Sequence, residues 1–203
     1  MTTVGIRLIL LSWWTPNYVV NKELDRIFKL TTNALKSLLE SQAPVAFAKI
    51  AKETTLPPGN VAQKRAAMAR THAFLVDALS EAVGRDQAVD LGRKALFEVG
   101  RSLGKETRGK LGIGDSPNDL IRAARVLYHV LGIDFDVEWH GKANATLIVD
   151  RCALAKEYSE LTCLVLSATD EGVIRGLEPN VSMMFKQRMT SGCGKCIAQI
   201  ELS

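Results

Sequence analysis

The sequence of 203 residues predicts an α+β protein, in which a helical N-terminal half packs on a C-terminal antiparallel sheet with the order β-β-α-β-β. The first observation behind this fold class is the spacing of apolar residues. They recur every three or four positions in segments between residues 21 and 131, which is the period of amphipathic helices. The second observation is that the period changes to two from residue 133 onward, as in half-buried strands. The composition, 47% hydrophobic and 24% charged, is that of an ordinary globular protein.

Helices are predicted in the N-terminal half at residues 21–52, 61–83, 87–103 and 117–131. The first two are separated by TTLPPGN (54–60), because its prolines and glycine cannot continue a helix. Gly104 is predicted to end the third helix, so that residues 105–116 form a charged, glycine-rich connection. Ser116 is predicted to cap the fourth helix.

The C-terminal part begins with IDFDVEWH (133–140), a predicted strand in which apolar and polar residues alternate. The turn GKAN connects it to a second strand at 145–150, and the two form a predicted hairpin. The remaining elements are predicted helices at 152–159 and 162–177 and predicted strands at 181–189 and 196–202. The last two strands are joined through SGCGKC (191–196).

The chain divides into a predicted N-terminal helical extension, residues 1–60, and a predicted α+β domain, residues 61–203. The net charge of +4 is spread without a basic tract, so no nucleic-acid partner is predicted. Because no segment reaches the run of about 18 apolar residues that a membrane span needs, no membrane partner is predicted. The N-terminal VGIRLILLSWWTP lacks the cleavage site of a signal peptide, and the protein is predicted to be cytoplasmic. Trp13 and Trp14 are predicted to pack on the body of the protein or in the contact of a homodimer, and the alternative is that this segment is a translated leader without a structural role.

All four cysteines, Cys152, Cys163, Cys193 and Cys196, follow residue 151. A pair separated by two residues in a glycine-containing turn, as at Cys193 and Cys196, is typical of sites that present two thiolates to one metal. Two further cysteines complete a tetrahedral set, so all four are predicted ligands of zinc or of an iron–sulfur cluster. The same clustering also fits redox or nucleophilic thiol chemistry, and it fits buried cysteines that only pack. The residues leave these three alternatives open.

A second candidate feature is a stripe on the predicted helix at 162–177. Cys163, Ser167 and Asp170 lie at i, i+4 and i+7 and therefore share a face. A thiol and a carboxylate arranged in this way can line a pocket, with Asp170 as a base or an orienting group. The alternative is a polar stripe that faces solvent. His72 is predicted to be solvated, and the sequence contains no nucleotide-binding, lipase-type or zinc-protease motif.

From about residue 74 the chain resembles a known family. FLVDALSEAVGRDQAVDLGRKALFEVGRSLG is similar to the helical part of the L-2-amino-thiazoline-4-carboxylic acid hydrolases. The segment from VDRCALAKEYSELTC to MTSGCGKCIAQIEL resembles their C-terminal signature, with Cys152, Cys163, Asp170 and a Gly-x3-Cys turn. The same end pattern is similar to the 4-vinyl reductase (V4R) domain, a ligand-binding α+β module in which cysteines near the C-terminus hold zinc. The chain departs from these patterns at Ala153, where a proline is common in the hydrolases, and at Cys193, where an acidic residue is common.

The resemblance implies a hydrolase that opens a small ring at a C–N or C–S bond. It implies that Cys163 and Asp170 line the site and that a small molecule is the substrate or ligand. A metal with an open position, zinc by preference, would acidify water there. A different function class is a non-enzymatic ligand-binding or sensing module of V4R type. A third hypothesis is an iron–sulfur electron carrier.

Overall fold

A computed structural model describes residue 8 and residues 15–50, 56–114, 116–141 and 143–202. The helices with described bounds are α1 (Asn17–Gln42), α2 (Pro44–Ile50), α3 (Val61–Val83), α4 (Arg85–Leu111), α5 (Pro117–Leu131) and α6 (Glu160–Leu177). The strands are β1 (Ile133–Trp139), β2 (Asn144–Cys152), β3 (Val181–Gln187) and β4 (Cys196–Leu202), with a 3₁₀ turn at Met189–Ser191. The predicted α+β class and the order β-β-α-β-β are confirmed.

The four strands form one antiparallel sheet with the order β1-β2-β4-β3. Each hairpin pairs within itself, and β2 pairs with β4 to join the two hairpins, so that Val149 lies opposite Cys196. The alternating sequence of β1 buries Ile133 and Phe135 and exposes the acidic residues between them. This side of the sheet packs on α5 through Ala124 and Tyr128.

Local signals explain the helices whose bounds were predicted well. Asn60 caps α3 in a reciprocal arrangement, because its side chain accepts from the backbone N–H of Gln63 while the Gln63 side chain accepts from the backbone N–H of Asn60. Ser116 caps α5 as predicted and accepts from the backbone N–H of Asp119. The helix ends at Gly132, which adopts the left-handed conformation with φ +72°.

Three predicted elements differ from the structure. The first helix begins at Asn17 and ends at Gln42, because Pro44 begins the separate helix α2. The helix α4 does not end at Gly104 but continues to Leu111 and closes at Gly112. Residues 153–157, predicted to be helical, form turns between β2 and α6.

Glycines explain why α4 continues through Gly104. A Cβ atom on Gly100 would lie 2.0 Å from the carbonyl oxygen of Thr169, and one on Gly104 would lie 2.2 Å from that of Val173. Conversely, a Cβ atom on Gly172 would lie 2.1 Å from the carbonyl oxygen of Phe97. The glycines of α4 and α6 therefore allow the two backbones to touch, and this contact fixes the helix that carries Cys163 and Asp170.

The helix α1 belongs to the common core. Its buried residues pack with those of α3, α4 and α6, and the larger of these are Leu24, Phe28, Leu35 and Leu39. The division at residue 60 stays a prediction. The buried clusters include residues from both sides of it. Trp13 and Trp14, invoked for a homodimer contact, lie outside the described residues. No helix in the described part of the chain is long and apolar enough to cross a membrane.

Candidate functional site

A cavity of about 90 Å³ lies where the helical layer, the sheet and the turn after β2 meet. The surface of the cavity is mainly apolar, and its lining comes from α1, α3, α5, α6, β2, the turn after β2, the end of β3 and the start of β4. The polar side chains and thiols that line it are Thr31, His72, Tyr128, Cys152, Tyr158, Cys163, Ser167, Thr169, Asp170, Arg188, Thr190 and Cys196.

Asp170 is the acidic residue of the cavity. Burial, and secondarily the negative charge of the neighbouring Glu171, raise the pKa of the Asp170 carboxyl from 3.8 to about 7. No cation or hydrogen-bond donor among the described residues offsets this burial. The hydroxyl of the adjacent Thr169 is also buried without a hydrogen-bond partner in the described structure. Buried polar groups in native proteins usually have partners, so this pair indicates a place where water or a ligand binds.

Three thiols line the same cavity. Cys152 ends β2, Cys163 lies in the first turn of α6, and Cys196 begins β4. Burial raises the pKa of the Cys152 thiol to about 11 and also raises the pKa of Cys163 and of Cys196. All three are therefore neutral thiols near neutral pH, and neutral thiols are weak nucleophiles and weak metal ligands.

The predicted set of four cysteine ligands is not assembled. Cys193 lies in the turn before β4, and it is absent from the lining of the cavity that holds Cys152, Cys163 and Cys196. Within the described ranges, no group of three or more His, Cys, Asp or Glu residues has the geometry to hold a metal ion. The metal site of four cysteines therefore stays a prediction of the sequence, since spacing along the sequence does not determine which side of the last hairpin turn faces the cavity. The hydrogen bond from the backbone N–H of Met189 to the Cys196 sulfur, 3.3 Å long, orients Cys196 inward.

Arg188 supplies positive charge to the cavity. Its Nη2 and Nε atoms lie 3.0 and 3.4 Å from the hydroxyl of Ser167, and its guanidinium lies 5.6 Å from the ring centroid of Phe185. The hydroxyl of Ser167 also donates to the carbonyl of Leu164. A guanidinium has five N–H donors, so Arg188 retains donors for an anionic group of a ligand.

An ion pair between the half-buried Arg93 and the buried Glu171 supports the cavity wall behind Asp170. Arg93 donates to the carboxylate of Glu171 at 2.6 Å and to the carbonyl of Leu164 at 2.7 Å. The other oxygen of Glu171 accepts from the backbone N–H of Phe185 at 3.5 Å. Since Glu171 is thereby tied to α4 and to β3, it acts as structural support, and Asp170 is the carboxylate that remains for ligand chemistry.

A chain of hydrogen bonds crosses the helical wall of the cavity. His72 is 2% exposed, and its Nε2 and Nδ1 atoms each lie 2.8 Å from a hydroxyl oxygen, that of Thr31 and that of Tyr158 respectively. The prediction that His72 is solvated was therefore wrong. Burial lowers the pKa of His72 to about 3, so its ring is neutral at physiological pH.

The sequence located the face of α6 and the thiols of Cys152 and Cys196 at the cavity, and it missed several of the other polar side chains. Cys163, Ser167 and Asp170 do share a face of α6, and this face lines the cavity. The catalytic roles of Cys163 and Asp170 stay predictions. Arg188, Tyr158 and His72 were missed, although the spacing of buried residues on α3 could have found His72, which lies four residues after Met68 and seven before Leu79.

Among solved structures, the chain is similar to a trafficking protein particle complex subunit 3 from Naegleria fowleri, covalently bound to palmitic acid. That match has a TM-score of 0.53 and 16% identity, and it covers 68% of this chain and 95% of that one. An H-NOX protein from S. oneidensis in the Fe(II)NO state matches with a TM-score of 0.45, 12% identity, and coverage of 86% of this chain and 98% of that one. At these identities the first similarity shows a shared fold only.

No curated protein matches the chain. The sequence profile described as L-2-amino-thiazoline-4-carboxylic acid hydrolase matches residues 64–199. This range runs from the start of α3 into β4, and so contains Asp170, Arg188 and the three thiols of the cavity. The relationship to the V4R domain stays a resemblance of the end pattern. By the extent of the profile match, this chain belongs to the L-2-amino-thiazoline-4-carboxylic acid hydrolase family.

Proposed function

We propose that the protein hydrolyses a small ring at a C–N or C–S bond inside the cavity, with Asp170 as the general base. The observation that carries this proposal is the carboxyl of Asp170, enclosed without a cationic or hydrogen-bonding partner among the described residues. Its pKa of about 7 suits proton transfer near neutral pH, because such a group both accepts and returns a proton readily. Membership of the hydrolase family supports the same reaction class.

The reaction balances with one water molecule. The Asp170 carboxylate takes a proton from water while the water oxygen forms a bond to the ring carbon between nitrogen and sulfur. Asp170 passes that proton to the ring nitrogen as its C=N bond becomes a single bond. When the C–N or C–S bond then breaks, the departing atom receives the second proton of the water through Asp170, the carbon keeps the oxygen as a carbonyl, and Asp170 returns to the carboxylate. The hydroxyl of Thr169, next to Asp170 and without a partner in the described structure, is placed to orient the water.

Arg188 is the proposed anchor for a carboxylate of the substrate. Its guanidinium faces the same cavity, and Ser167 accounts for only part of its donors. A carboxylate bound there would place the ring between Arg188 and Asp170. Substitution of Arg188 by methionine is therefore expected to raise KM more than it lowers kcat.

Cys163 is proposed to contact the substrate from the same face as Asp170. Because its thiol is neutral, attack by water is favoured over attack by sulfur. The substitution Cys163→Ala distinguishes the two routes, since it lowers the rate severalfold if water attacks and abolishes turnover if the thiol forms a covalent intermediate.

Turnover of 2-amino-thiazoline-4-carboxylate by the full chain tests the proposal. We expect Asp170→Asn to lower kcat by roughly 10²–10⁴-fold, the usual contribution of a general base. The matched control is Asp77→Asn, which removes an exposed carboxylate from α3. An Asp170→Asn variant as active as the control would rule out the general base, and no turnover by the unmodified chain would rule out this substrate.

A second candidate function is the non-enzymatic binding of a small apolar molecule. It is favoured by the mainly apolar lining of the cavity and its neutral thiols. The structurally similar trafficking subunit is covalently bound to palmitic acid, and a comparable ligand is part of this second proposal. Saturable binding of a fatty acid or an aromatic probe without any turnover of thiazoline carboxylate would support it.

The zinc or iron–sulfur cofactor, the cytoplasmic location and the homodimer stay predictions of the sequence. The reaction proposed above uses only side chains that line the cavity. Elemental analysis together with the visible spectrum of the purified protein decides the cofactor prediction. Stoichiometric zinc, or a visible cluster band, would show that the thiols rearrange to bind it.

A further inference from the structure

We propose that Thr31 fixes the tautomer of His72 and thereby makes the Tyr158 hydroxyl a hydrogen-bond acceptor toward the molecule in the cavity. Thr31 and His72 are positioning residues in this proposal, and Tyr158 determines specificity. The part that concerns ligands rests on the proposed function, because it assumes that the cavity binds a small polar molecule. The part that concerns the tautomer is independent of it.

The first step is the direction of the Thr31 hydroxyl. Its oxygen lies 2.8 Å from the carbonyl oxygen of Ile27 and 3.2 Å from that of Phe28. A carbonyl oxygen can only accept, so the hydroxyl hydrogen must lie on this side. If it pointed to His72 instead, two oxygen atoms would face each other at 2.8 Å with no hydrogen between them. Thr31 is 2% exposed, so bulk water cannot enter and supply a hydrogen bond between these two oxygen atoms.

The second step follows for His72. Because the hydrogen of Thr31 is used on the backbone, the Thr31 oxygen must accept from Nε2 of His72, 2.8 Å away. Nε2 therefore carries the proton of the neutral ring. Nδ1 then has a lone pair, and it must accept from the hydroxyl of Tyr158, also 2.8 Å away.

The third step concerns the cavity. Once the Tyr158 hydrogen is used on His72, the Tyr158 oxygen has only lone pairs for the occupant. Near Tyr158 the cavity thus favours a ligand with an N–H donor, such as an amine or an amidine, over a ligand with a carbonyl or an ether. Near Arg188 the cavity has the opposite preference and favours a ligand group that accepts, because a guanidinium only donates hydrogen bonds.

This arrangement assigns a role to α1, which precedes the residues 64–199 matched by the family profile. The backbone carbonyl of Ile27 fixes the direction of the hydrogen bond that the Thr31 hydroxyl donates. That direction determines the tautomer of His72, and the tautomer determines whether Tyr158 accepts or donates at the cavity. A segment outside the matched residues therefore determines which ligand groups the cavity accepts.

The tautomer is tested by NMR on the full chain with ¹⁵N-labelled histidine. The chain has three histidines, and the exposed His129 and His140 provide references within the same spectrum. We expect His72 to show a protonated Nε2 and an unprotonated Nδ1. A protonated Nδ1 at His72 would overturn the proposal whatever the protein hydrolyses.

The variants Thr31→Val and Thr31→Ser test whether Thr31 determines the tautomer of His72. Valine removes the acceptor for Nε2–H, and a buried N–H without a partner is less tolerated than a buried lone pair. We therefore expect Thr31→Val to shift His72 to the Nδ1–H form, so that Tyr158 becomes a donor toward the cavity. Serine keeps the hydroxyl and should keep the tautomer. An unchanged tautomer in Thr31→Val would contradict the proposal.

Specificity is measured as the affinities of 2-amino-thiazoline-4-carboxylate and 2-methyl-thiazoline-4-carboxylate, which lacks the amino donor. Both are titrated into Asp170→Asn protein, where turnover does not interfere. The amino compound should bind roughly tenfold more tightly, the effect of one hydrogen bond, and Thr31→Val should remove this preference while Thr31→Ser retains it. If the ratio of the two affinities were the same in every variant, the inference would be overturned and the proposed hydrolase would stay intact. Failure of both probes to bind would refute the ligand part together with the proposed substrate, and the NMR result would still decide the tautomer.

Discussion

At the scale of single residues, the pKa of Asp170 links the site to the stability of the fold. Burial raises this pKa from 3.8 to about 7, so the folded protein holds a proton in a pH range where the unfolded chain releases it. The stability that this proton contributes is fully present below about pH 4 and is lost as pH rises to 7. Above pH 7 the folded protein carries an unpaired carboxylate in an apolar cavity.

The substitution Asp170→Asn is therefore expected to stabilise the protein at pH 8 more than at pH 5. The gain should be about 1–3 kcal/mol, since one pKa unit corresponds to about 1.4 kcal/mol and water in the cavity reduces the penalty. Urea denaturation at pH 5, 6 and 8 measures it, with Asp77→Asn as the control that should show no such trend. A difference between Asp170→Asn and the unmodified protein that stays constant with pH would contradict the shifted pKa.

The residue scale also shows what the sequence could and could not predict about the site. The i, i+4, i+7 spacing of Cys163, Ser167 and Asp170 determines that they share a helix face, and this needs no knowledge of the rest of the fold. The contact of Thr31 with His72 joins residues 41 positions apart, and that of His72 with Tyr158 joins residues 86 apart. Such pairs depend on how helices pack, which local spacing does not encode.

At the scale of elements, the contact of α4 with α6 is the support on which the site depends. The glycines of α4 at Gly100 and Gly104 have the spacing of a helix-packing motif, and Gly172 and Gly176 repeat it on α6. Thr169, whose carbonyl meets Gly100, directly precedes Asp170. A change in the distance between these helices therefore moves the proposed base.

The substitution Gly100→Ala is expected to destabilise the protein by about 3 kcal/mol or more, because its Cβ atom would lie 2.0 Å from a backbone oxygen that cannot move alone. The matched control is Gly109→Ala in the same helix, where a Cβ atom meets nothing within 4 Å. There the better helix propensity of alanine should stabilise by about 0.5–1 kcal/mol. Thermal and urea unfolding measure both, and equal effects of the two substitutions would refute the close contact.

A comparison of Gly104 with the helix caps explains why some element bounds were predictable and others were not. Asn60 and Ser116 signal a helix start through bonds to their own first turn, so α3 and α5 begin where the sequence indicates. A glycine gives the same local signal whether it ends a helix or allows another backbone to approach. At Gly104 the second cause applies, and only the presence of α6 distinguishes it from the first.

At the scale of the whole molecule, the sequence predicted the order of the elements but not the unity of the core. The change of period at residue 133 located the start of the sheet, since period depends on local backbone geometry. Whether residues 1–60 form a separate extension depends instead on what α1 packs against. In the structure, Leu24 and Phe28 share a cluster with Met68, and Leu35 and Leu39 share one with Leu75.

This shared core leads to a prediction about removal of the N-terminal segment. A chain that begins at residue 57 lacks the buried apolar side chains of α1 and loses Ile27 and Thr31 from the cavity wall. We expect it to lose cooperative unfolding and to bind a hydrophobic dye, because the buried faces of α3 and α4 become exposed to water. Addition of a peptide of residues 15–56 should partly restore cooperative unfolding. If the shortened chain instead unfolded cooperatively and kept the ligand affinity of the full chain, α1 would be a dispensable extension, and its residues could neither complete the core nor set the polarity of the cavity.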